Sequence, residues 1–147
     1  MELSQFTDYS LRVLIYVAVE SEQRSSIKEI ASAYDISQNH LVKVVHHLSK
    51  QGFLDTFRGR GGGIALARAP ETISVGEVVR KSEKLDLVEC FSAKSRNCCC
   101  LAGHCELQIA LTRAKNAFLA ELDKVSLSDL TTKREQLGKL LRIGATP

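Results

Sequence analysis

The sequence predicts a mainly α-helical protein: a winged helix-turn-helix domain with a two-stranded wing, followed by a long dimerisation helix. Two short amphipathic segments joined by a tight turn have the outline of a helix-turn-helix. A glycine-rich basic hairpin follows them directly, at the position that a wing occupies. A later segment, residues 106–125, carries one apolar stripe at helical spacing. We therefore expect a winged-helix domain at residues 1–82 and a second region at residues 83–147.

The first helix is predicted at residues 7–20, where apolar residues recur densely at helical spacing. This density favours a largely buried helix. Thr7 and Asp8 stand just before the apolar run, and either has a side chain suited to an N-cap. The apolar residues are Leu11, Leu14, Ile15, Val17 and Val19.

The helix-turn-helix is predicted from two segments that each begin with a serine. Ser26 with Glu29 three residues later is a capping-box signature. Ser37 is in position to cap the second segment, and Gly52 ends it. The apolar faces consist of Ile27, Ile30, Ala31 and Tyr34 in the first segment and of Leu41, Val44, Val45 and Leu48 in the second.

The wing is predicted as two short strands, residues 53–57 and 64–67, on either side of a glycine-rich turn. Glycine adopts the positive φ angles of a tight reversal without steric cost. The alternative is a generic helical domain with a loose hairpin. One more helix is predicted from about Val75, beyond the break at Ala69 and Pro70.

Basic residues are concentrated in the helix-turn-helix and wing. The whole chain has a net charge of +3, whereas residues 24–68 hold seven basic and three acidic residues, a net +4. Such a segment is compatible with double-stranded DNA as partner, although a solvated surface has the same composition. A helix-turn-helix reads the major groove with the start of its second helix, and wing arginines suit phosphates or a narrow minor groove. The candidate DNA-binding residues are Gln38, Asn39, His40, Lys43, Arg58 and Arg60, with a surface role as the alternative for His40.

The composition and the order of residues also indicate the cellular compartment in which the protein works. The chain has 147 residues, 44% of them hydrophobic, which is enough for a packed core. The sequence contains no long apolar run and does not begin with the basic-then-apolar order of a signal peptide, so we expect a cytoplasmic protein without a membrane partner. Cytoplasmic thiols stay mostly reduced, so the five cysteines predict metal or redox chemistry rather than a disulfide framework.

All five cysteines lie between Cys90 and Cys105. Paired CxxC knuckles, the strong signature of a zinc ribbon, are absent from the sequence. Cys90, one of the three consecutive cysteines 98–100, and Cys105 are spaced so that a loop could fold around one metal centre. Iron–sulfur clusters use such thiolates. A zinc site or a disulfide switch remains the alternative.

The apolar stripe of the long helix needs a partner. Its residues are Leu107, Leu111, Ala114, Phe118 and Leu122. A second subunit would bury the stripe and make a homodimer; packing against the winged-helix domain of the same chain is the alternative. Residues 126–130 and 134–143 are predicted as a short turn and a peripheral helix.

Several stretches together resemble the NsrR/IscR superfamily of iron–sulfur winged-helix transcription regulators, and within it the nitric-oxide-sensing repressors. They are FTDYSLRVLIYVA, SQNHLVKVVHHLSKQGF, RGRGGGIALA, ISVGEVVR, CCLAGHCELQIAL and FLAELDKVSLSDL. The similarity covers nearly the whole chain. It implies a dimeric repressor on a palindromic operator, holding a 4Fe–4S or 2Fe–2S cluster whose reaction with nitric oxide releases the DNA.

The resemblance also implies a ligand set. The three cluster cysteines of the family fall on Cys90, Cys99 and Cys105, with Cys98 and Cys100 as alternatives to Cys99. The chain departs from the IscR type, which has a histidine soon after the third cysteine, because here Gln108 follows. Some nitric-oxide-sensing members take an aspartate from the other subunit as fourth ligand, and Asp8 stands at that place, with a helix cap as its other reading.

Catalysis is not predicted. The sequence shows no nucleophile and base pair, and the glycines of the hairpin do not open a helix as a dinucleotide-binding loop would. The alternatives to nitric oxide sensing keep the fold and change the signal: iron–sulfur homeostasis, redox stress, or a zinc or thiol switch.

Overall fold

The computed structural model describes residues 2–91, 100–101 and 104–143. It confirms the predicted mainly helical, winged-helix fold. The helices are α1 (Gln5–Val19), α2 (Ile27–Tyr34), α3 (Gln38–Lys50), α4 (Val75–Ser82), α5 (Glu106–Asp123), α6 (Leu127–Leu130) and α7 (Arg134–Leu140). The strands are β1 (Leu54–Phe57) and β2 (Gly63–Leu66), and 3-10 turns lie at Pro70–Thr72 and Glu89–Phe91.

Helix α1 begins earlier than predicted, and its N-cap is Ser4 rather than Thr7 or Asp8. The Ser4 hydroxyl accepts a hydrogen bond from the Thr7 backbone N–H at 3.3 Å, which is N-cap geometry. Thr7 is therefore inside the first turn, where its side chain is fully buried. The sequence analysis missed this cap because Ser4 is separated from the apolar run that marked the helix.

The helix-turn-helix forms as predicted, apart from one cap. In α2, Ser26 and Glu29 make the reciprocal hydrogen bonds of a capping box. Ser37 holds the N-cap position of α3, but among the described residues its side chain makes no capping hydrogen bond. Its carbonyl accepts instead from the Leu41 N–H at 3.2 Å. Gly52, with φ of 77°, follows the end of α3 in the left-handed conformation that favours glycine.

The wing is an antiparallel pair in which Leu54 lies opposite Leu66 and Phe57 opposite Gly63. Three of the four strand ends differ by one residue from the predicted ranges 53–57 and 64–67, and the fourth end, Phe57, is as predicted. An isolated antiparallel bridge pairs Ser25, outside the hairpin, with Ile64 of β2. The Ser25 N–H donates to the Ile64 carbonyl at 3.0 Å, and the Ile64 N–H donates to the Ser25 carbonyl at 2.7 Å. The connection between α1 and α2 therefore supports the wing from one side.

The core joins the winged-helix part of the chain to residues near its C-terminal end. It is centred on fully buried side chains of α1, α2, α3 and the wing, among them Leu14, Ile30, Leu41 and Phe53. The predicted short turn at residues 126–130 and the predicted peripheral helix also contribute, because Leu127 is 2% exposed and Leu141 is 9% exposed. Backbone hydrogen bonds draw the first of these inwards: the Leu127 N–H donates to the Ile73 carbonyl at 2.8 Å.

Helix α5 packs on α4 through one face. Leu119 is buried there, and Arg80 of α4 forms a two-point ion pair with Asp123 of α5. The predicted apolar stripe is only partly covered: Leu107 is 64% exposed, whereas Phe118 is half-buried. Packing within the chain thus accounts for one face of α5 and leaves the start of the stripe open to solvent.

A helix that crosses a bilayer needs about 20 predominantly apolar residues in succession. None of the described helices of this chain is both long enough and apolar enough to meet that requirement.

Candidate nucleic-acid interface and metal centre

Helix α3 presents the predicted reading residues to solvent. Gln38, Asn39, His40 and Lys43 are exposed, while the apolar residues of α3 are buried against α1 and α2. Because α3 is the second helix of the helix-turn-helix, its exposed face is the one that would enter the major groove.

The same exposed face holds residues that the sequence analysis did not single out. Val42 is 50% exposed, although Val44 and Val45 two and three residues later are buried. His46 and Lys50 lie along the face as well. The signal that could have found them is the helical phase of α3, which places Val42 beside Gln38 and Asn39. An exposed valine there suits contact with a thymine methyl group.

The first turns of α1 lie against α3. The Phe6 and His47 rings meet edge to face with centroids 5.2 Å apart, and the Tyr9 and His40 rings are 6.3 Å apart. A His47 ring nitrogen also lies 3.0 Å from the Lys81 carbonyl of α4. His47 therefore packs between helices, and α1 lies behind the helix that carries the candidate DNA-binding residues.

The wing presents Arg58 and Arg60 at an exposed tip. The tip is a tight turn in which Gly59 and Gly61 have φ angles of 84° and 76°, and the Gly62 N–H donates to the Gly59 carbonyl at 3.0 Å. Side chains at these φ angles would be strained, which explains the glycine run. Both predicted arginines are thus exposed at the tip of the wing.

Two of the seven basic residues in the 24–68 segment are engaged within the protein. Arg68 pairs with Glu77 at 2.7 Å and lies 5.1 Å from the Phe53 ring centroid. Arg24 lies 3.7 Å from the Phe57 ring centroid, a contact that the sequence pattern did not indicate. The basic surface is therefore formed mainly by α3 and the wing tip.

Two of the predicted cluster cysteines lie at fixed places beside α5. Cys105 is the N-cap of α5, and its sulfur accepts a hydrogen bond from the Gln108 N–H at 3.4 Å. Cys90 lies in the Glu89–Phe91 turn, where the next residue, Phe91, lies 4.9 Å below the Lys115 ammonium of α5. Both thiols are free and half-buried, whereas Cys100 is free and exposed. Cys98 and Cys99 lie outside the described residues.

Asp8 lies near the start of α1 and pairs with Arg12. The two Asp8 oxygens meet Arg12 nitrogens at 2.9 and 3.0 Å, and the carboxylate is 45% exposed. Arg12 in turn lies 5.7 Å from the ring centroid of Tyr34. Burial, opposed by the Arg12 charge, raises the pKa of Tyr34 to about 12. Asp8 is therefore not the cap of α1, and its carboxylate is paired with Arg12.

An iron–sulfur cluster needs several ligands, most often cysteine thiolates, that converge on one centre. Within the described ranges, no three His, Cys, Asp or Glu side chains come together as metal ligands. The donors that are described have the right chemistry, since thiolate sulfur is the usual ligand of such clusters. Cys105 is also at a helix N-terminus, where the backbone N–H groups stabilise a negatively charged sulfur. The described cysteines therefore fit the group as part of a larger ligand set.

Glu83 ties the start of α1 to the end of α4. Its Oε2 accepts hydrogen bonds from the Ser4 N–H at 2.7 Å, the Ser4 hydroxyl at 2.9 Å and the Thr7 hydroxyl at 2.8 Å. Although burial raises the pKa of Glu83, these hydrogen bonds outweigh it and lower the pKa below its ordinary value. Glu83 also begins the segment that leads to Cys90, so it joins α1 to that segment.

Comparison with known proteins places these features in context. The sequence model of the Rrf2 family, described as an iron-dependent transcriptional regulator, matches residues 3–133. The HTH-type transcriptional regulator NsrR of Bacillus subtilis is 49% identical over 97% of this chain and 99% of its own length. The regulator of the same name from Halalkalibacterium halodurans is 45% identical over 97% of this chain and 99% of its own length.

Solved structures agree in fold. CymR, the global cysteine regulator of B. subtilis, has a TM-score of 0.69 at 27% identity, covering 90% of this chain and 98% of that one. IscR of T. potens has a TM-score of 0.74 at 23% identity, covering 93% of this chain and 90% of that one. The second likeness is one of fold alone.

Proposed function

The chain belongs to the Rrf2 family of transcriptional regulators, and on that premise we propose that it is a dimeric repressor that senses nitric oxide through an iron–sulfur cluster. The observation that carries the proposal is the pair of free, half-buried thiols: Cys105 at the N-cap of α5, and Cys90 in a turn whose Phe91 lies against Lys115 of the same helix. Similarity over the full length to regulators named NsrR supports it. Catalysis has no part in it, in keeping with relatives that are regulators.

The ligands in this proposal are Cys90, Cys105 and one cysteine of the consecutive three, for which Cys99 is our choice and Cys98 or Cys100 the alternatives. Asp8 of a second copy of the chain is the fourth. Its half-exposed carboxylate, which pairs with Arg12, supports a role across the subunit boundary. When bound, the 4Fe–4S or 2Fe–2S cluster supplies iron sites that react with nitric oxide.

Dimerisation is proposed through the open part of the α5 stripe. Leu107 and Ala114 are exposed, and Leu111 and Phe118 are only half-buried against their own chain. A second copy of α5 laid along this stripe would remove it from water. A two-fold dimer presents two recognition helices about 34 Å apart, which matches a palindromic operator of double-stranded DNA.

The DNA-reading part of the proposal assigns Gln38, Asn39, His40 and Lys43 to the major groove. Their exposure on α3 supports this assignment. Arg58 and Arg60 contact phosphates or the minor groove from the wing tip. Arginine suits either contact, because its planar guanidinium binds phosphate at two points and fits a narrow groove.

Signal transfer is proposed to follow side-chain contacts within the chain. Glu83 holds the start of α1, which carries Asp8, against the segment that leads to Cys90. Phe6 and Tyr9 of α1 touch His47 and His40 of α3. A change in the cysteine segment would therefore move α1 and, with it, the reading helix. This is a local order change with a distant effect, a known class of switch.

The test uses protein purified without oxygen and a palindromic site selected from random duplex DNA. We expect a brown protein with iron and acid-labile sulfide, tight operator binding, and release of the DNA by nitric oxide. Alanine at each of Cys98, Cys99 and Cys100 in turn identifies the middle ligand, and we expect only Cys99→Ala to lose the cluster.

Other outcomes would redirect the assignment. The purified protein could contain an intact cluster and yet stay bound to the operator when nitric oxide is added. That result would favour a cytoplasmic regulator of iron–sulfur supply or redox stress. Colourless protein that contains zinc, or that binds DNA only in one thiol oxidation state, would replace the cluster with a zinc or thiol switch.

A further inference from the structure

Arg24 has an unusual position for an exposed arginine, because its side chain is held by the wing. It lies in the connection between α1 and α2. Its Nη1 donates to the Gly61 carbonyl at 3.0 Å, and its guanidinium carbon lies 3.7 Å from the Phe57 ring centroid. One side chain therefore contacts both the end of β1 and the backbone of the glycine turn.

The backbone beside Arg24 is part of the same support. Ser25 exchanges two hydrogen bonds with Ile64 of β2. At Gly63, where φ is 148°, an added Cβ would come within 2.8 Å of the Arg24 Cβ and 2.9 Å of the Ser25 carbonyl oxygen. The α1–α2 connection and β2 are thus packed too closely for any side chain at position 63. The Arg24 side chain extends this packing as far as Gly61 in the turn.

The tip has few other means of holding its shape. Residues 59–63 include four glycines, and fixing glycine in one conformation costs more backbone entropy than fixing any other residue. Phe57 is 40% exposed, and the guanidinium of Arg24 covers its face. A cation over an aromatic ring, with a hydrogen bond to the turn, offsets part of that entropy.

We propose that Arg24 is a positioning residue for DNA binding, which fixes the wing tip so that Arg58 and Arg60 meet the DNA together. The inference depends on DNA binding by the wing and not on nitric oxide sensing. An alternative is that Arg24 itself touches a phosphate, and the two roles differ in how they respond to conservative substitution. Lysine keeps the charge but has neither the planar face for stacking nor the fork that reaches Gly61.

The first experiment measures the wing without DNA. Amide hydrogen exchange of residues 57–63 is compared in wild type, Arg24→Ala and Arg24→Lys. We expect exchange at the tip to be at least about tenfold faster in both variants, because the open conformations of the turn become more populated. Equal exchange rates in all three proteins would overturn the proposal.

The second experiment is a double-mutant cycle on the intact regulator and its selected operator. Arg24→Ala should weaken binding about tenfold in the wild-type background and less than about twofold when Arg58 and Arg60 are both already alanine, because the contacts that Arg24 positions are then absent. Arg24→Lys should bind as weakly as Arg24→Ala. Lys139→Ala, which removes one exposed charge on α7, is the matched control and should bind like wild type.

Phe57→Leu provides a check that leaves Arg24 in place. It keeps an apolar side chain but removes the ring, so we expect a loss of affinity similar to that of Arg24→Ala, with no further loss when the two are combined. Unchanged melting temperatures would separate this effect from unfolding. If the loss from Arg24→Ala multiplies with the loss from removing both Arg58 and Arg60, and Arg24→Lys restores binding, Arg24 itself contacts a phosphate and the positioning role is contradicted.

Discussion

Gly76 lies where α4 crosses α5, and replacing it with alanine should separate the two helices. An added Cβ would lie 2.9 Å from the Asp123 Cγ and 3.0 Å from the Asp123 backbone nitrogen. Carbon atoms in contact normally stay about 3.5–4.0 Å apart, so the helices or the carboxylate must move by about half an ångström or more. The carboxylate is not free to swing, because Arg80 donates to it at 2.6 and 2.5 Å.

The magnitude is set by two opposing effects. Glycine to alanine in an open helix stabilises a protein by up to about 1 kcal/mol. Crowding of a packed contact costs about 1–3 kcal/mol, and the partly exposed ion pair adds at most about 1 kcal/mol if it breaks. We therefore expect the free energy of unfolding of Gly76→Ala to fall by about 1–2 kcal/mol.

Gly138→Ala is the matched control, since among the described residues an added Cβ there would meet Val19 Cγ1 at 3.9 Å, an ordinary contact. It should be neutral or more stable by up to about 1 kcal/mol. Urea denaturation at one fixed protein concentration measures both variants, because stability of a dimer depends on concentration. A Gly76→Ala protein as stable as Gly138→Ala would refute the close packing of α4 on α5.

Four further predictions concern the proposed DNA interface, the proposed dimer interface and the Glu83 hydrogen bonds. Val42→Ala should weaken operator binding about fourfold, and replacing thymine by uracil at the contacted base should have no added effect in that variant, as measured by fluorescence anisotropy. Arg60→Ala should weaken binding and reduce the slope of log affinity against log salt by about 1 in anisotropy titrations. Leu107→Glu should give monomers in sedimentation velocity, since it places a charge in the proposed α5 interface. The pKa of Glu83 is lowered from its ordinary 4.5, so its contribution to stability is present above pH 4.5 and is lost as the pH falls below it. Urea denaturation at pH 6 and pH 3.5 should therefore show a smaller loss for Glu83→Gln than for wild type.

The parts of the fold that depend on local pattern could be read from the sequence. Ser26 and Glu29 make a capping box from residues three apart, and α3 shows its buried face in the spacing of its own leucines and valines. These signals need no knowledge of the rest of the chain. The order of helices and hairpin then sufficed for the winged-helix prediction.

Features made by distant residues could not be predicted in this way. The α1 cap is stabilised by Glu83, 79 residues from Ser4 along the chain. Leu127 enters the core because its backbone pairs with Ile73, and nothing in residues 126–130 shows this. The contact of Arg24 with Phe57 likewise appears only once the wing folds back on the α1–α2 connection.

In the candidate metal centre, some features follow from the local sequence and others depend on residues that are distant or in a second subunit. The position of Cys105 at the start of α5 follows from a local helix signal, and the structure agrees. The choice among the three consecutive cysteines depends on a segment in which Cys98 and Cys99 lie outside the described residues, so Cys99 remains a prediction. Asp8 is on the surface of α1, and its proposed ligand role depends on a second subunit.

The most direct test of the central claim is a nitric oxide titration that records two signals from one anaerobic sample. Visible absorbance follows the cluster, and the anisotropy of a labelled operator follows DNA binding. The account predicts that DNA is released in step with the loss of absorbance, and that the Cys105→Ala protein shows neither signal. Full operator binding after the absorbance is gone would contradict it.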